Sequence, residues 1–119
     1  MSRIIKFEEG NKNEVPGLRT VIKFINEDFG AERIGIQTVE YEPGVESGGV
    51  HYHERRESAY VVIEGTAKMS LNGEIHELKP NMAVLLTPGD IHGIVGTGSE
   101  PFKMIEVYSP LDPDRIDVP

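Results

Sequence analysis

Glycine and proline divide this chain into short apolar segments, and their spacing restricts the possible folds more than any other feature of the sequence. Together they make up 21 of the 119 residues, 13 as Gly and 8 as Pro. Most segments between them are rich in Val, Ile, Tyr and Phe, which suit the pleated surface of a β-sheet, and no apolar stripe of useful length repeats at helical spacing. We therefore predict strands at residues 3–7, 18–25, 33–41, 59–63, 67–71, 74–78, 83–86, 91–95 and 102–107.

Turn-forming residues lie between the predicted strands. Asn72-Gly73 favours the type I′ turn of a two-residue β-hairpin. Glu42-Pro43-Gly44 favours a type II turn, in which proline presets φ and glycine takes a positive φ. Helical expectations are limited to single turns at 8–14 and 26–32. The chain length suffices for one domain, so we predict an all-β sandwich or closed barrel of about eight to eleven strands.

The composition excludes several classes of protein. The chain has no cysteine, which rules out a disulfide scaffold or a thiolate metal site and fits a reducing cytoplasm. The net charge of −8 argues against binding to nucleic acid, which needs a basic surface. No apolar run approaches the ~20 residues that span a bilayer, and the N-terminus does not resemble a signal peptide. We expect a soluble cytoplasmic protein with a small-molecule partner, and no contact with nucleic acid or membrane.

Three histidines form the candidate functional site. His51 and His53 flank Tyr52, and because residues i and i+2 of a strand share a face, both imidazoles can reach one point. His92 is the best candidate for a third ligand, since it follows the sharp Pro88-Gly89-Asp90 turn and opens another predicted strand. Neutral imidazoles bind ions such as Zn, Fe, Mn or Ni. Taken alone, an H-x-H pair is better explained as two polar residues on a surface strand.

The residues around these histidines resemble both motifs of the cupin superfamily, in the same order. The first comprises Gly44, His51-Tyr52-His53 and Gly65, the second contains Pro88-Gly89-Asp90-Ile91-His92, and residues 66–80 separate them. The resemblance covers roughly residues 33 to 110. It implies a double-stranded β-helix, or jelly-roll barrel, with residues 1–119 as one cupin domain. It also implies a divalent metal ion in the mouth of the barrel, with His51, His53 and His92 as its histidine ligands.

The family's fourth ligand, a glutamate, has no direct counterpart in this chain. Ser58 occupies the position that the spacing to Gly65 assigns to it, and Glu57 lies one residue earlier. A shift of one residue turns a side chain to the other face of a strand unless a bulge corrects it. Either Glu57 is a ligand through such a bulge, or the site has three histidines and open coordination positions. We favour the second. The ion is Zn, Fe, Mn or Ni, and the sequence does not select among them.

Further residues are candidates for binding or catalysis. Arg55 and Arg56 lie in the loop after the first motif, where a guanidinium could hold a phosphate or carboxylate; an exposed charge cluster is the alternative, which we favour. Tyr60 lies on the face that the resemblance turns inward, either as a phenol for a substrate or as a core aromatic. Glu106 alternates with apolar residues, so it could be a general base of raised pKa, although we favour an outward position. Glu57 completes the catalytic candidates.

Two functions fit this pattern. One is a metal-dependent isomerase, oxygenase or lyase acting on a small polar acid or sugar. His51-Tyr52-His53 and residues 61–67 are similar to the C-terminal cupin of bacterial mannose-6-phosphate isomerase proteins, which implies a sugar phosphate with Arg55 or Arg56 on its phosphate. The other is a non-catalytic module that binds a small molecule or a metal. The resemblance also implies a homodimer, in which N-terminal strands such as 18–25 add to the partner's sheet.

Overall fold

Strands are the main element of this protein, whose computed structural model describes residues 2–119. Two single-turn 3-10 helices lie at Phe7–Glu9 and Glu27–Phe29. The strands are β1 Asn11–Val15, β2 Arg19–Ile25, β3 Gly35–Tyr41, β4 Val50–His53, β5 Glu57–Glu64, β6 Ala67–Leu71, β7 Glu74–Leu78, β8 Ala83–Leu86, β9 His92–Thr97, β10 Phe102–Ser109 and β11 Arg115–Val118. The predicted all-β class is confirmed. Among residues 2–119, neither helix has the length and apolar character needed to cross a membrane.

The strands form two sheets. Sheet A has six strands in the order β1-β2-β3-β10-β5-β8, and sheet B has five in the order β11-β4-β9-β6-β7. The pairings among the described strands are antiparallel. The chain passes repeatedly from one sheet to the other, and strands far apart in sequence become neighbours, as β3 and β10 do. This exchange of strands between two packed sheets is typical of a jelly roll.

Apolar side chains from both sheets meet in one core. Phe102 and Met104 of β10 and Met69 of β6 are at most 2% exposed. The alternation predicted for strands is seen along β5, where Tyr60 is buried and Val61 is exposed. Burial of side chains of this size stabilises the fold by about 1.5–3 kcal/mol each. The other residues of the core are Val39, Tyr41, Val62, Ala67, Leu78, Leu86 and Ile94.

The predicted Asn72-Gly73 turn is confirmed, whereas the strand predicted at residues 3–7 is wrong and the single helical turn expected within 8–14 is limited to Phe7–Glu9. Asn72 and Gly73 join β6 to β7 with φ values of 49° and 85°, as a type I′ turn requires. Residues 3–6 form no strand, and β1 occupies part of the segment expected to be a helical turn. Although all five residues of β1 are exposed, β1 pairs along its whole length with β2. The strand conformation of this segment is therefore set by its backbone pairing with β2, which the residue types alone do not indicate.

Close approach of β4 to β9 brings the two cupin-like motifs together. The strands pair at His51 and His92. Beside this pair, a Cβ atom on Gly93 would collide with the carbonyl oxygen of Gly49. Glycine at position 93 therefore lets the backbones come close at the point where both motifs supply a histidine. On its other side β4 pairs with β11, in the C-terminal segment.

Candidate metal centre

The three predicted ligands lie together. One ring nitrogen from each of His51, His53 and His92 lies within 4.8 Å of those of the other two. His51 and His53 project from the same face of β4, and His92 is directly opposite His51 on β9. Directly opposed residues of antiparallel strands project to the same side. Strand geometry and register therefore place all three imidazoles around one point.

Two of the rings are oriented by hydrogen bonds. Nδ1 of His53 donates to Oδ1 of Asp114 at 2.8 Å, and Nδ1 of His92 donates to the carbonyl oxygen of Asp90 at 2.9 Å. Both partners are acceptors only, so each fixes the tautomer with its proton on Nδ1. The Nε2 lone pairs of both rings are then free. Such support of a ligating histidine through its other nitrogen is usual in protein metal sites.

Burial keeps the imidazoles of His51 and His92 neutral. It lowers the pKa of His51 to about 3, with a further contribution from the neighbouring His92. It also lowers the pKa of His92, an effect that the hydrogen bond to the Asp90 carbonyl opposes. A metal ligand must offer a lone pair rather than a proton. Both histidines therefore offer one at neutral pH, without the competition that protonation brings.

His51 and His53 line a polar cavity of about 180 Å³, and His92 is buried beside them. The wall of this cavity includes a row across the inner face of sheet A, in which Glu106 is directly opposite Gln37 on one side and Tyr60 on the other. A wider cleft of about 640 Å³ lies beside β6, β7 and β9 but contains no histidine. Chemistry rather than size identifies the smaller cavity as the candidate site. Its other lining residues are Arg19, Val21, Val39, Tyr41, Arg56, Met104, Pro113, Asp114 and Arg115.

Glu106 and Tyr60 both lie in this cavity. Nε2 of Gln37 donates to Oε1 of Glu106 at 3.0 Å. Burial raises the pKa of Glu106, and the hydrogen bond from Gln37 opposes that rise. Burial also raises the pKa of Tyr60 well above its usual range, so Tyr60 is a neutral phenol. The alternative that Glu106 faces outward is therefore wrong, because it shares an inner face with Met104 and Tyr60.

Glu57 does not reach the histidines. It is exposed at the start of β5, whereas Ser58 is buried. The pairing of β5 with β10 runs without a shift at this point, so no bulge turns Glu57 inward. Among residues 2–119, no carboxylate joins the histidine cluster. The arrangement is the one we favoured from sequence, with three histidines and Ser58 in place of glutamate.

The adjacent arginines have different surroundings. Arg55 is exposed, and its backbone N–H donates to Asp114. The Arg56 guanidinium lies over the ring of Tyr108, 4.2 Å from its centre. It also donates to three backbone carbonyls of the C-terminal segment, at Pro110, Leu111 and Asp112. Arg56 lines the cavity, but its N–H groups bind the C-terminal segment. The interpretation of Arg56 as part of an exposed charge cluster is therefore wrong.

Sequence reasoning missed four residues of the site. Gln37 and Arg19 lie on strands far from either motif. Asp114 and Arg115 belong to the C-terminal segment, which forms one wall of the cavity because β11 pairs with β4. The sequence feature that could have indicated this segment is the alternation of charged and apolar residues in Arg115-Ile116-Asp117-Val118, which favours a strand.

We expect Glu106→Gln to change how the stability of the metal-free protein depends on pH. Because burial raises the pKa of Glu106 in the folded state, its contribution is fully present below the unfolded value near 4.5 and is lost as pH rises through the folded value. Stability of the variant relative to wild type should therefore increase as the pH rises above about 4.5 and through the raised pKa of Glu106 in the folded state. The titratable or charged groups that interact electrostatically with Glu106 are Tyr41, Tyr60, Tyr108, Arg19, Lys23 and Arg56.

Urea unfolding at several pH values measures this effect. Glu57→Gln is the matched control, since Glu57 is exposed at the start of the neighbouring strand. Its stability curve should run parallel to that of wild type. If the Glu106→Gln curve is also parallel to wild type, the carboxyl is not perturbed by burial.

Comparison with known proteins identifies the family. The cupin domain family matches residues 37–108, more than half of the chain. Mannose-1-phosphate guanylyltransferase ManC from Salmonella typhimurium is 33% identical over 78 residues, which are 66% of this chain and 16% of that protein. Tetracenomycin polyketide synthase protein TcmJ from Streptomyces glaucescens is 35% identical over 75 residues, 63% of this chain and 50% of TcmJ. The chain thus matches only part of these relatives.

Solved structures agree with this assignment. The polyketide cyclase RemF from Streptomyces resistomycificus superimposes with a TM-score of 0.80 and 26% sequence identity, over 99% of this chain and 86% of RemF. The likeness extends beyond the matched family region to nearly the whole chain. It includes the two-sheet arrangement that brings the histidines together. The chain therefore belongs to the cupin family, and its two sheets form the jelly-roll barrel of that family.

Proposed function

We propose that this cupin holds a divalent metal ion through His51, His53 and His92 and acts as an enzyme on a small polar acid or sugar phosphate. The observation that carries the proposal is the convergence of three imidazoles on one point, at the wall of a polar cavity that His51 and His53 line. Two of the rings have Nδ1 committed to fixed acceptors, so their Nε2 atoms are available as ligands. The reaction is of isomerase, oxygenase or lyase type.

The donor set fits a first-row divalent ion. Three neutral imidazoles suit Zn, Fe, Mn or Ni, and the cluster contains no other protein donor among residues 2–119. Three protein ligands leave positions for an oxygen atom of the substrate or for water. An ion held there would supply Lewis acidity to that oxygen, and a redox-active one would also supply electron transfer.

The chain's own residues supply the remaining functions. Glu106 is the proposed general base, because it faces the cavity and has a raised pKa, and a base that titrates nearer neutral pH transfers protons more effectively. Tyr60, a neutral phenol 6.1 Å from His92 between ring centres, can donate a hydrogen bond to the substrate. Val39 and Met104 form the apolar part of the wall and limit the water around the reacting atoms.

Related proteins support an enzymatic role, and the size of the cavity restricts the substrate. RemF is a polyketide cyclase. A cavity of about 180 Å³ is smaller than the about 300–1,000 Å³ typical of pockets for drug-sized ligands. It therefore favours a small polar molecule over a polycyclic one. The similarity to ManC, whose name refers to a mannose phosphate, is consistent with a sugar phosphate.

A non-catalytic binding module is the second candidate. Ser58 stands where the family has a glutamate ligand, and its Oγ is buried without a hydrogen-bond partner among the described residues. A site that lacks this carboxylate could hold a metal or small molecule without turning it over. Turnover of any small acid or sugar phosphate by the metal-loaded protein would decide for the enzyme.

Metal content of untagged protein, measured by plasma mass spectrometry, tests the proposed site. We expect close to one divalent ion per chain as purified or after reconstitution. The identity of the ion then directs the substrate screen, because redox-active iron suits an oxygenase and zinc or manganese suits an isomerase or lyase. Protein that binds no ion under either condition would contradict the metalloenzyme proposal.

We also propose that the chain forms a homodimer through the free edge of sheet A. From the sequence we expected the strand at 18–25 to add to the partner's sheet. That strand, β2, already pairs on both sides with β1 and β3 of its own chain. β1 is the outer strand of sheet A and is exposed along its length, and an unpaired edge of this kind is a template for another strand. Light scattering should give twice the chain mass of 13.2 kDa; a monomer at that mass would contradict the proposal.

A further inference from the structure

Arg19 is a guanidinium that forms no salt bridge with any described residue, although the carboxylate of Glu106 lines the same cavity. Arg19 is partly buried at the start of β2, directly opposite Tyr41 of β3, and lines the histidine cavity. Among residues 2–119, it takes part in none of the salt bridges. Burial raises the pKa of Tyr41 and the Arg19 guanidinium opposes this rise, so the charge lies close to the phenol. A partly buried charge without an ionic partner is costly for a fold and marks a place where a ligand can supply the missing charge.

A second cavity adjoins the first and also includes Arg19. Its volume is about 300 Å³, and it shares Arg19, Val21, Gln37, Arg56, Pro113 and Arg115 with the histidine cavity. The two spaces are therefore neighbours, and the first of them includes His51 and His53. β2 contributes to the second cavity with Arg19, Val21 and Lys23, which share one face of the strand.

The second cavity is positively charged although the protein is acidic. Four cationic side chains and one carboxylate, that of Glu27, line it, in a chain of net charge −8. Two of the four cations are already committed: Arg56 donates to backbone carbonyls, and Arg115 pairs with Asp117 at 2.9 Å. Arg19 and Lys23 make no ion pair within the described residues. A local positive field in an acidic surface attracts anions to that position.

Gln37 provides an adjoining polar group. It lines both cavities, and its Nε2 is committed to Glu106. Its Oε1 is buried and has no hydrogen-bond partner among residues 2–119. Because a buried acceptor without a partner destabilises the fold, a ligand that donates a hydroxyl proton there would remove that cost. The lining therefore offers an acceptor for a hydroxyl beside donors for an anion.

We infer that Arg19, supported by Lys23, binds the anionic group of a hydroxylated substrate whose other end lies at the histidines. The guanidinium presents two parallel N–H donors, which match a carboxylate or a phosphate. Gln37 accepts a hydrogen bond from a substrate hydroxyl between the two ends. The inference rests on the proposed function and narrows its substrate class to small hydroxy acids or sugar phosphates oriented with the anion at Arg19.

The test is titration calorimetry of the full chain, freed of metal with a chelator, using inorganic phosphate and lactate as separate probes. We expect at least one anion to bind to wild type, and the tighter one to indicate whether the natural group is a phosphate or a carboxylate. Arg19→Gln should weaken binding by about tenfold or more, since hydrogen bonds to a charged group are lost. Arg19→Lys should retain part of the affinity, because it keeps the charge but not the paired donors.

Two controls separate binding from folding. Arg33→Gln removes an exposed arginine that lines neither cavity and should bind as wild type does. If Arg19 is a binding residue rather than a structural one, Arg19→Gln should keep the melting temperature of metal-free wild type. A marked fall in that temperature, unchanged affinity in Arg19→Gln, or failure of both anions to bind wild type would each overturn the inference.

The result is separable from the outcome of the metal experiment. Anion binding is measured without metal, so a protein that binds no ion can still show an Arg19-dependent site. In that case the anion site stands and the metalloenzyme proposal fails. Conversely, a metal-loaded protein without an Arg19-dependent anion site keeps its metal centre and loses this substrate assignment.

Discussion

The double variant His51→Ala/His92→Ala is expected to contain no divalent ion above background and to have lost affinity for added ion by more than about 100-fold. Replacing a single partner behind a ligating histidine already costs about 10–100-fold in affinity, and this variant removes two of the three ligands themselves. The two histidines lie on the opposed strands β4 and β9. Because His53 is then the one remaining ligand of the three, no chelating pair of imidazoles is left. Plasma mass spectrometry after reconstitution, with a competing chelator for the affinity, measures the effect.

His76→Ala is the matched control for this experiment. His76 lies on β7, its side chain is 49% exposed, and it stands outside the histidine cluster. Its removal should leave the metal content at the wild-type value. Because His92 is only 2% exposed, the double variant also needs a far-UV spectrum and a melting curve to show that it is folded. A folded double variant that retains a full complement of ion would place the metal elsewhere.

Features encoded within a few residues were predictable from the sequence. The Asn72-Gly73 hairpin follows from the dihedral preferences of those two residues. The shared face of His51 and His53 follows from the period of a strand. The strand β1 was not predicted because Asn11–Val15 has no alternation of apolar and polar residues. This strand forms because β2 offers an unpaired edge to it. Local preference is decisive in the first two cases and is overridden by tertiary pairing in the third.

The rest of the site depends on contacts between distant parts of the chain. Arg19 and Gln37 reach the cavity through the order of strands in sheet A, in which β2 lies beside β3 and β3 lies beside β10. Asp114 is 61 residues from the histidine that it contacts. No local pattern marks such residues, so the sequence instead drew attention to Arg55 and Arg56, which stand beside the motif. The structure shows that Arg56 fastens the C-terminal segment and that Arg55 is exposed.

Asp114 connects the C-terminal segment to the candidate metal centre. Its side chain is 4% exposed. One oxygen accepts from Nδ1 of His53 at 2.8 Å, and the other accepts from the backbone N–H groups of Arg55 and Arg56 at 2.7 and 3.0 Å. Burial alone would raise the pKa of Asp114, but these hydrogen bonds outweigh it and lower the pKa, so the carboxylate is ionised at neutral pH. Asp114 therefore fixes both the ring of His53 and the loop that follows it.

Replacing Asp114 should therefore weaken metal binding without removing a ligand. We expect Asp114→Ala to lower the affinity for the ion by about 10–100-fold and the stability by about 1–3 kcal/mol, since buried donors lose their acceptor. Asp114→Asn should have a smaller effect, because its amide oxygen can still accept from His53 but its NH₂ group cannot accept from the backbone. Chelator competition and urea unfolding measure the two quantities.

Asp112→Asn distinguishes positioning of the histidine from general loosening of the C-terminal segment. Asp112 lies two residues before Asp114 and is exposed, and only its backbone carbonyl is used, by Arg56. Its replacement should leave both metal affinity and stability unchanged. If Asp114→Ala lowers stability but binds the ion as tightly as wild type, Asp114 stabilises the fold and has no role in positioning His53 for the metal. If the metal affinity falls although the variant is still fully folded, the loss is due to the orientation of the His53 ring. The C-terminal segment that contains Asp114 is then part of the metal centre.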